Sequence, residues 1–167
     1  MRVRSMILYA ALFVSALASA VSAEAASTLS TYRNARFGYA VDVPSEFRMG
    51  EAPVNNDGRV FYDPSSEGVI SVFGMYNALG ASRESYATER EEDWRGLGGT
   101  VTYRAKRENW FVLSGTVGGD IFYERVIFSA DGDTIATLLV RYPQSEKARF
   151  DPLVARASRT LRFLRAE

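Results

Sequence analysis

Residues 110–143 read WFVLSG, TVGGD, IFYERVIF, SADGD and TIATLLVRYP in succession, and no other stretch limits the possible folds as much. The apolar runs are short, rich in β-branched and aromatic residues, and separated by Gly and Asp. That is the pattern of consecutive antiparallel strands joined by tight connections. Asp131-Gly132 reads as a type I′ turn, whose two central residues both require φ > 0, and such a turn sets residue 124 opposite residue 139. Within IFYERVIF, Phe122, Glu124, Val126 and Phe128 alternate with Ile121, Tyr123, Arg125 and Ile127, and both sets are mostly apolar. A sheet with one wet face would alternate more cleanly. These are therefore expected to be central strands, with helices packed on both faces. The fold class that follows is α+β, with a mainly antiparallel sheet.

The flanking sequence supplies the remaining elements. Residues 38–43 alternate as a strand that Pro44 stops. Residues 44–58 (PSEFRMGEAPVNNDG) form a long connection with no periodic pattern, a kind of loop that is often functional, and Phe47 is placed to pin it to the core. Residues 59–62 and 69–76 read as a hairpin, with Gly74 marking a bulge. A helix over 82–95 takes Ser82 as N-cap and Glu84 in its first turn. Tyr86, Arg90 and Trp94 form its sheet-facing stripe, and the Gly-rich run 96–99 ends it. Residues 100–106 form a strand with Val101, Tyr103 and Ala105 on one face. A last helix starts at Asp151-Pro152, cap and first residue, and buries Leu153, Val154, Ala157 and Leu161.

The first 23 residues differ from the rest. Arg2 and Arg4 precede an apolar run over 6–18, and Val21-Ser22-Ala23 fits a small-x-small cleavage site. This is the composition of a secretory signal peptide, and the apolar run is short for a membrane span. Its removal leaves 18 basic and 20 acidic residues, a net charge of −2, which gives no electrostatic case for nucleic-acid binding. The chain contains neither cysteine nor histidine. Disulfides, most zinc sites, the Ser-His-Asp triad and the Cys-His pair are excluded with them, and no cofactor is called for.

Candidate sites are few. Glu89, Glu92 and Asp93 share a helix face, but calcium needs oxygens converging from a loop, so a solvated face is the simpler reading. Residues 55–58 (NNDG) lack the leading Asp and distal Glu of a calcium loop. Gly115 to Asp120 lacks the Lys and following helix of a phosphate loop and reads as a hairpin tip. Glu124, Arg125 and Arg141 interrupt apolar strands. They fit a structural ion pair between Glu124 and its diagonal neighbour Arg141, or a binding groove offering a guanidinium to an anion. Phe47, Arg48, Met49 and Glu51 put an apolar anchor among charges, the composition of a protein contact.

The runs FGYAVDVPSEF, VFGMYNALG and WFVLSG…IFYERVIF…YP…DPLV resemble small exported bacterial domains of the PsbP-like superfamily. That α/β/α sandwich also includes a Ran-binding nuclear import factor. The resemblance covers nearly all of the chain after residue 23, and it implies a binding role with no catalytic signature. The expected organisation is a signal peptide over 1–23, a flexible tail over 24–31 and one domain over 32–167. The expected function is an exported, non-enzymatic binding or accessory module of the envelope. Its partner would be another envelope or extracellular protein, with no transmembrane segment after cleavage. A small carboxylate-dependent hydrolase and an envelope-stability protein without a ligand are the alternatives. Cleavage after Ala23 is expected, and the intact mass of the exported protein checks it; full-length chain recovered from membranes would refute it.

Overall fold

The computed structural model describes residues 28–165; the signal-peptide segment lies outside them. In chain order the strands are β1 (Leu29–Asn34), β2 (Tyr39–Pro44), β3 (Arg48–Met49), β4 (Gly58–Tyr62) and β5 (Val69–Tyr76). Helix α1 (Arg83–Gly96) follows, then β6 (Thr100–Arg107), β7 (Trp110–Val117), β8 (Asp120–Phe128) and β9 (Thr134–Pro143). A 3-10 turn (Gln144–Glu146) leads into α2 (Lys147–Thr160) and the short β10 (Arg162–Phe163). Strand β1 begins at Leu29, inside the stretch expected to be tail.

Two antiparallel sheets form. The larger has seven strands in the order β3-β4-β5-β9-β8-β7-β6, and the smaller has three in the order β1-β2-β10. The meander β7-β8-β9 runs in unbroken register, with Glu124 opposite Leu139 as expected. Both faces of β8 and β9 are covered. On one face Phe122, Val126, Phe128 and Ile135 pack with Tyr86 and Trp94 of α1. On the other, Ile127, Leu138, Val140 and Tyr142 pack with Phe150, Val154 and Ala157 of α2 and with Tyr39, Val41 and Val43 of the small sheet. Sidedness of this kind follows from the two-residue period of a strand, which sends neighbouring side chains to opposite layers.

Local structure departs from expectation at four places. The type I′ turn joins β7 to β8, where Gly118 and Gly119 have φ of 57° and 92°. At the second hairpin only Gly132 has positive φ. Asp131 stays out of that region because its carboxylate accepts from Ser129 Oγ (2.5 Å) and the Asp133 amide (3.0 Å). The result is a longer connection over 130–133 that keeps the same register, closed by Ser129 N–H donating to the Thr134 carbonyl. Gly74 is no bulge: it pairs regularly with Ala136, and a Cβ there would stand 2.7 Å from the Phe37 side chain. The glycine makes room for the small sheet.

The bulge lies in β6 instead, between Val101 and Tyr103. It turns Val101 toward α1 and leaves Tyr103 on the opposite face, so the two do not share a side. Finally, α2 starts at Lys147, with Asp151 and Pro152 inside it on the exposed side. Its buried stripe begins at Phe150, which stacks on Tyr142 at 4.6 Å with ring planes 6° apart.

Leu138 is fully buried between the large sheet, α2 and the small sheet. Leu138→Ala is expected to cost about 2–5 kcal/mol in denaturant unfolding, the range for a leucine in a close-packed core. A loss below about 1 kcal/mol would show that the site collapses around the cavity.

Candidate functional site

Helix α1 starts where Ser82 Oγ accepts from the Ser85 amide at 3.0 Å, and its Tyr86–Arg90–Trp94 stripe falls on the sheet. There it meets Glu124, a carboxylate with no exposure. Arg90 Nε donates to Glu124 Oε1 at 2.8 Å and Trp94 Nε1 to Oε2 at 2.6 Å. The Trp94 indole also stacks on Phe122, 3.8 Å between centroids. Burial works against the charge on Arg90, yet Glu124 more than offsets it, so its pKa lies above the ordinary value. The expected Glu124–Arg141 pair is therefore absent. Arg141 lies on the same face but donates to Asp120 Oδ2 at 2.9 Å, and Glu124 is claimed by the helix. Arg125 points to the other side of the sheet, so these three residues do not form one site.

Because α1 packs on β6 and β7, it covers only one end of its face. Toward the other end, cross-strand register puts Val60, Ser71 and Leu139 in one row and Tyr62, Val69 and Arg141 in the next. These side chains and Phe73 remain partly or wholly exposed, Tyr62 at 50%. Arg48 of β3 continues the Tyr62 row to the sheet edge. Glu51 lines this same side beside Val60, Phe73 and Leu139, whereas Met49, 60% exposed, pairs with Phe61 and so turns to the other face of the edge strand. Of the four loop residues singled out in the sequence, three thus reach the surface, Arg48 and Glu51 on this face and Met49 on the other. Phe47 does not: it is 7% exposed and packs edge-on against Phe150. The loop is also held down, with Asn34 Nδ2 donating to the Asn56 carbonyl, Tyr39 Oη and the Gly74 amide to the Asp57 carbonyl, and Arg36 to the Asn55 carbonyl.

On the opposite face the small sheet and α2 cover β5, β9 and part of β8. The outer strands there are open, and a groove of about 670 Å³ runs between them and α2. Tyr103, Ser114 and Tyr123 lie in one row across its floor, with Arg125 on the adjoining row beside Val112. Lys147, Asp151, Ser158 and Arg159 line the helical wall. Asp151 is engaged on both oxygens, accepting from the Tyr142 hydroxyl at 3.2 Å and from Lys147. Burial, then the Asp151 charge, push the Tyr142 hydroxyl well above its ordinary pKa, so it remains a neutral donor. The sequence reading began α2 at Asp151 and so left Lys147 outside the helix. The spacing of Phe150, Val154, Ala157 and Leu161 carried the signal for the earlier start.

What fixes that wall is an ion pair at its base. Asp63, in the β4–β5 turn, is buried, and Arg149 Nη1 of α2 lies 2.5 Å from its Oδ2. Ser65 donates its amide (2.9 Å) and hydroxyl (2.8 Å) to Asp63 Oδ1. Burial opposes ionisation of Asp63, but Arg149 and the two Ser65 donors outweigh it and hold the carboxyl below its ordinary pKa.

No protein-family model matches the chain, and no curated protein matches it in sequence. Solved structures do match. The cyanobacterial PsbP (CyanoP) of Synechocystis superposes with a TM-score of 0.63 at 14% identity, covering 88% of this chain and 98% of its own. The Ran-binding protein Mog1p of Saccharomyces cerevisiae does so at 0.61 and 11%, covering 83% and 96%. LpqN of Mycobacterium tuberculosis, described as involved in cell envelope biogenesis, gives 0.58 and 11%, covering 83% and 91%. At these identities the likeness is one of fold.

The Asp63 clamp carries a pH signature. A carboxyl depressed in the folded state contributes stability above its unfolded pKa of about 3.9, and this is lost as pH falls through the folded value. Asp63→Asn is expected to cost about 1–3 kcal/mol at neutral pH by removing the buried charge that Arg149 and the two Ser65 donors meet. In paired urea titrations the deficit should shrink steadily once pH falls below about 4; a deficit independent of pH would assign the effect to packing.

Proposed function

We propose that this chain, which has the PsbP-like fold, is an exported binding or accessory module without catalytic activity. Its partner is another envelope or extracellular protein, docked on the part of the large sheet that α1 leaves uncovered. The observation that carries this reading is the open strip of Val60, Tyr62, Val69, Phe73 and Leu139, which ends at Arg48 and Glu51, with Met49 exposed on the reverse side of the same edge. Apolar side chains at the centre with charges at the rim are the anatomy of a protein interface, and a contiguous exposed apolar patch marks such a site. The loop that supplies the rim is tied down by hydrogen bonds, so little ordering entropy is lost on docking. The partner's matching surface is apolar, with an acidic group placed to meet Arg48.

Three further facts agree. Glu124 and Asp63, both buried carboxylates, are each engaged by an arginine and further donors of this chain, a structural use of both groups. Export is supported by the Arg2/Arg4 start, the apolar run and Val21-Ser22-Ala23. The fold is also that of LpqN, a protein described as involved in cell envelope biogenesis.

The test uses the mature chain to capture its partner by cross-linking in an envelope extract, followed by affinity measurement with the purified pair. Joint replacement of Arg48, Met49 and Glu51 by Ala should leave the melting temperature in place and weaken binding at least tenfold, about 1.4 kcal/mol. Tyr62→Ala should weaken it independently. Unchanged affinity in both folded variants would overturn the docking face.

A further inference from the structure

The groove between α2 and strands β6–β8 lies on the other face of the sheet and at its other end, and its chemistry differs from that of the docking strip. Its volume of about 670 Å³ is in the range of small-molecule sites. Its one acid, Asp151, already accepts from Lys147 and Tyr142. Two guanidinium groups line it as well, Arg125 from the floor and Arg159 from the helix. Arg125 is laid flat by its surroundings: its guanidinium carbon stands 4.3 Å from the centroid of the Trp110 ring. Its Nε is buried and has no hydrogen-bond partner among the described residues. A buried N–H without an acceptor is rare in folded proteins and calls for an explanation. Stacking on an aromatic ring holds the planar fork of an arginine ready, and that fork matches the paired oxygens of a carboxylate or phosphate.

Neutral groups complete the set. Thr102 and Thr116 bring hydroxyls to the groove, each able to donate to an anion. Tyr103, at 55% exposure, and Ile121 offer flat apolar surface beside them. We infer that this groove binds a small organic oxyanion, a carboxylate or phosphate head carried on an apolar or aromatic body. Arg125 and Arg159 hold the head, and the tyrosine row of the floor holds the body. This site goes beyond the protein-docking reading and stands or falls apart from it, because no residue of the docking strip lines the groove.

Sodium benzoate and phenyl phosphate serve as probes, with benzyl alcohol and inorganic phosphate as comparisons, each titrated into the isotope-labelled mature chain and followed by NMR. The expected result is saturable binding of at least one organic anion, with an apparent Kd of about 1 mM or tighter. Amide shifts should centre on Ser114, Tyr123 and Arg125 and include the Trp110 indole. The Trp94 indole, buried on the opposite face, should stay in place. Arg125→Gln is expected to weaken binding at least tenfold. Should that variant fail to fold, Arg159→Gln, at an exposed helix position, keeps the question open to measurement and should weaken binding several-fold. The stronger of the two anions identifies the head group. The inference is overturned by an absence of saturation with both anions up to about 10 mM, or by equal binding of benzyl alcohol. It is equally overturned by inorganic phosphate binding as tightly as phenyl phosphate, or by folded arginine variants that bind like the parent.

Discussion

One buried carboxylate decides how the layers sit. Glu124 occupies the middle of the central strand pair with no exposure, and its charge is tolerated only because Arg90 and Trp94 reach it from α1. A buried pair of this kind adds little net stability compared with apolar residues of similar size, but leaving one partner alone is costly. Its effect here is therefore on placement. An apolar helix face could slide along an apolar sheet at small cost; a helix whose arginine and indole must both meet one carboxylate has one position. That position is over β6–β8, and it leaves the far half of the same face bare. Arg149 and Asp63 play the same part for α2 on the other side.

The two helices consequently cover the large sheet on a diagonal. One open quarter, on the face of α1, is an apolar strip with a charged rim. The other, on the face of α2, is a groove with hydroxyls and guanidinium groups. β8 and β9 carry buried side chains on both faces, and their residues are accordingly mostly apolar, apart from the threonines of β9 and the charges that serve as clamps or site groups. Arg125 and Glu124 are sequence neighbours, and the strand period alone sends one to the groove and the other to the helix.

The meander was legible in the sequence because strand period, apolar content and Gly/Asp punctuation agree there, and the register followed from chain length between strands. What was not legible depended on competition. Asp131 can be read as a turn residue from its type, but which hydrogen bonds its side chain makes decides the turn, and Ser129 and the Asp133 amide won. Gly74 reads as a break in a strand; the arrival of Phe37 and Tyr39, from the β1–β2 turn and the start of β2, explains it. The Asp151-Pro152 pair satisfies every local rule for a helix start, and packing of Phe150 on Tyr142 overrides it. The site residues divide in the same way. Arg48, Met49 and Glu51 were visible as an exposed mixture, whereas the groove is made by the relation of a helix to three strands, and no window of the chain contains it.

The small sheet has a temporal consequence. Its central strand, β2, is paired on one side by β1 and on the other by Arg162 and Phe163, at the far end of the domain. The Asp42 amide donates to Thr160 Oγ1 in the same seam. Tyr39 and Ala40, fully buried in the finished structure, sit opposite those last residues. A chain made from its N-terminus has β2 half-paired until residues 162–163 have emerged. Closing such a distant seam requires the loop entropy of nearly the whole domain to be overcome, so the small sheet is completed only when residues 162–163 reach β2.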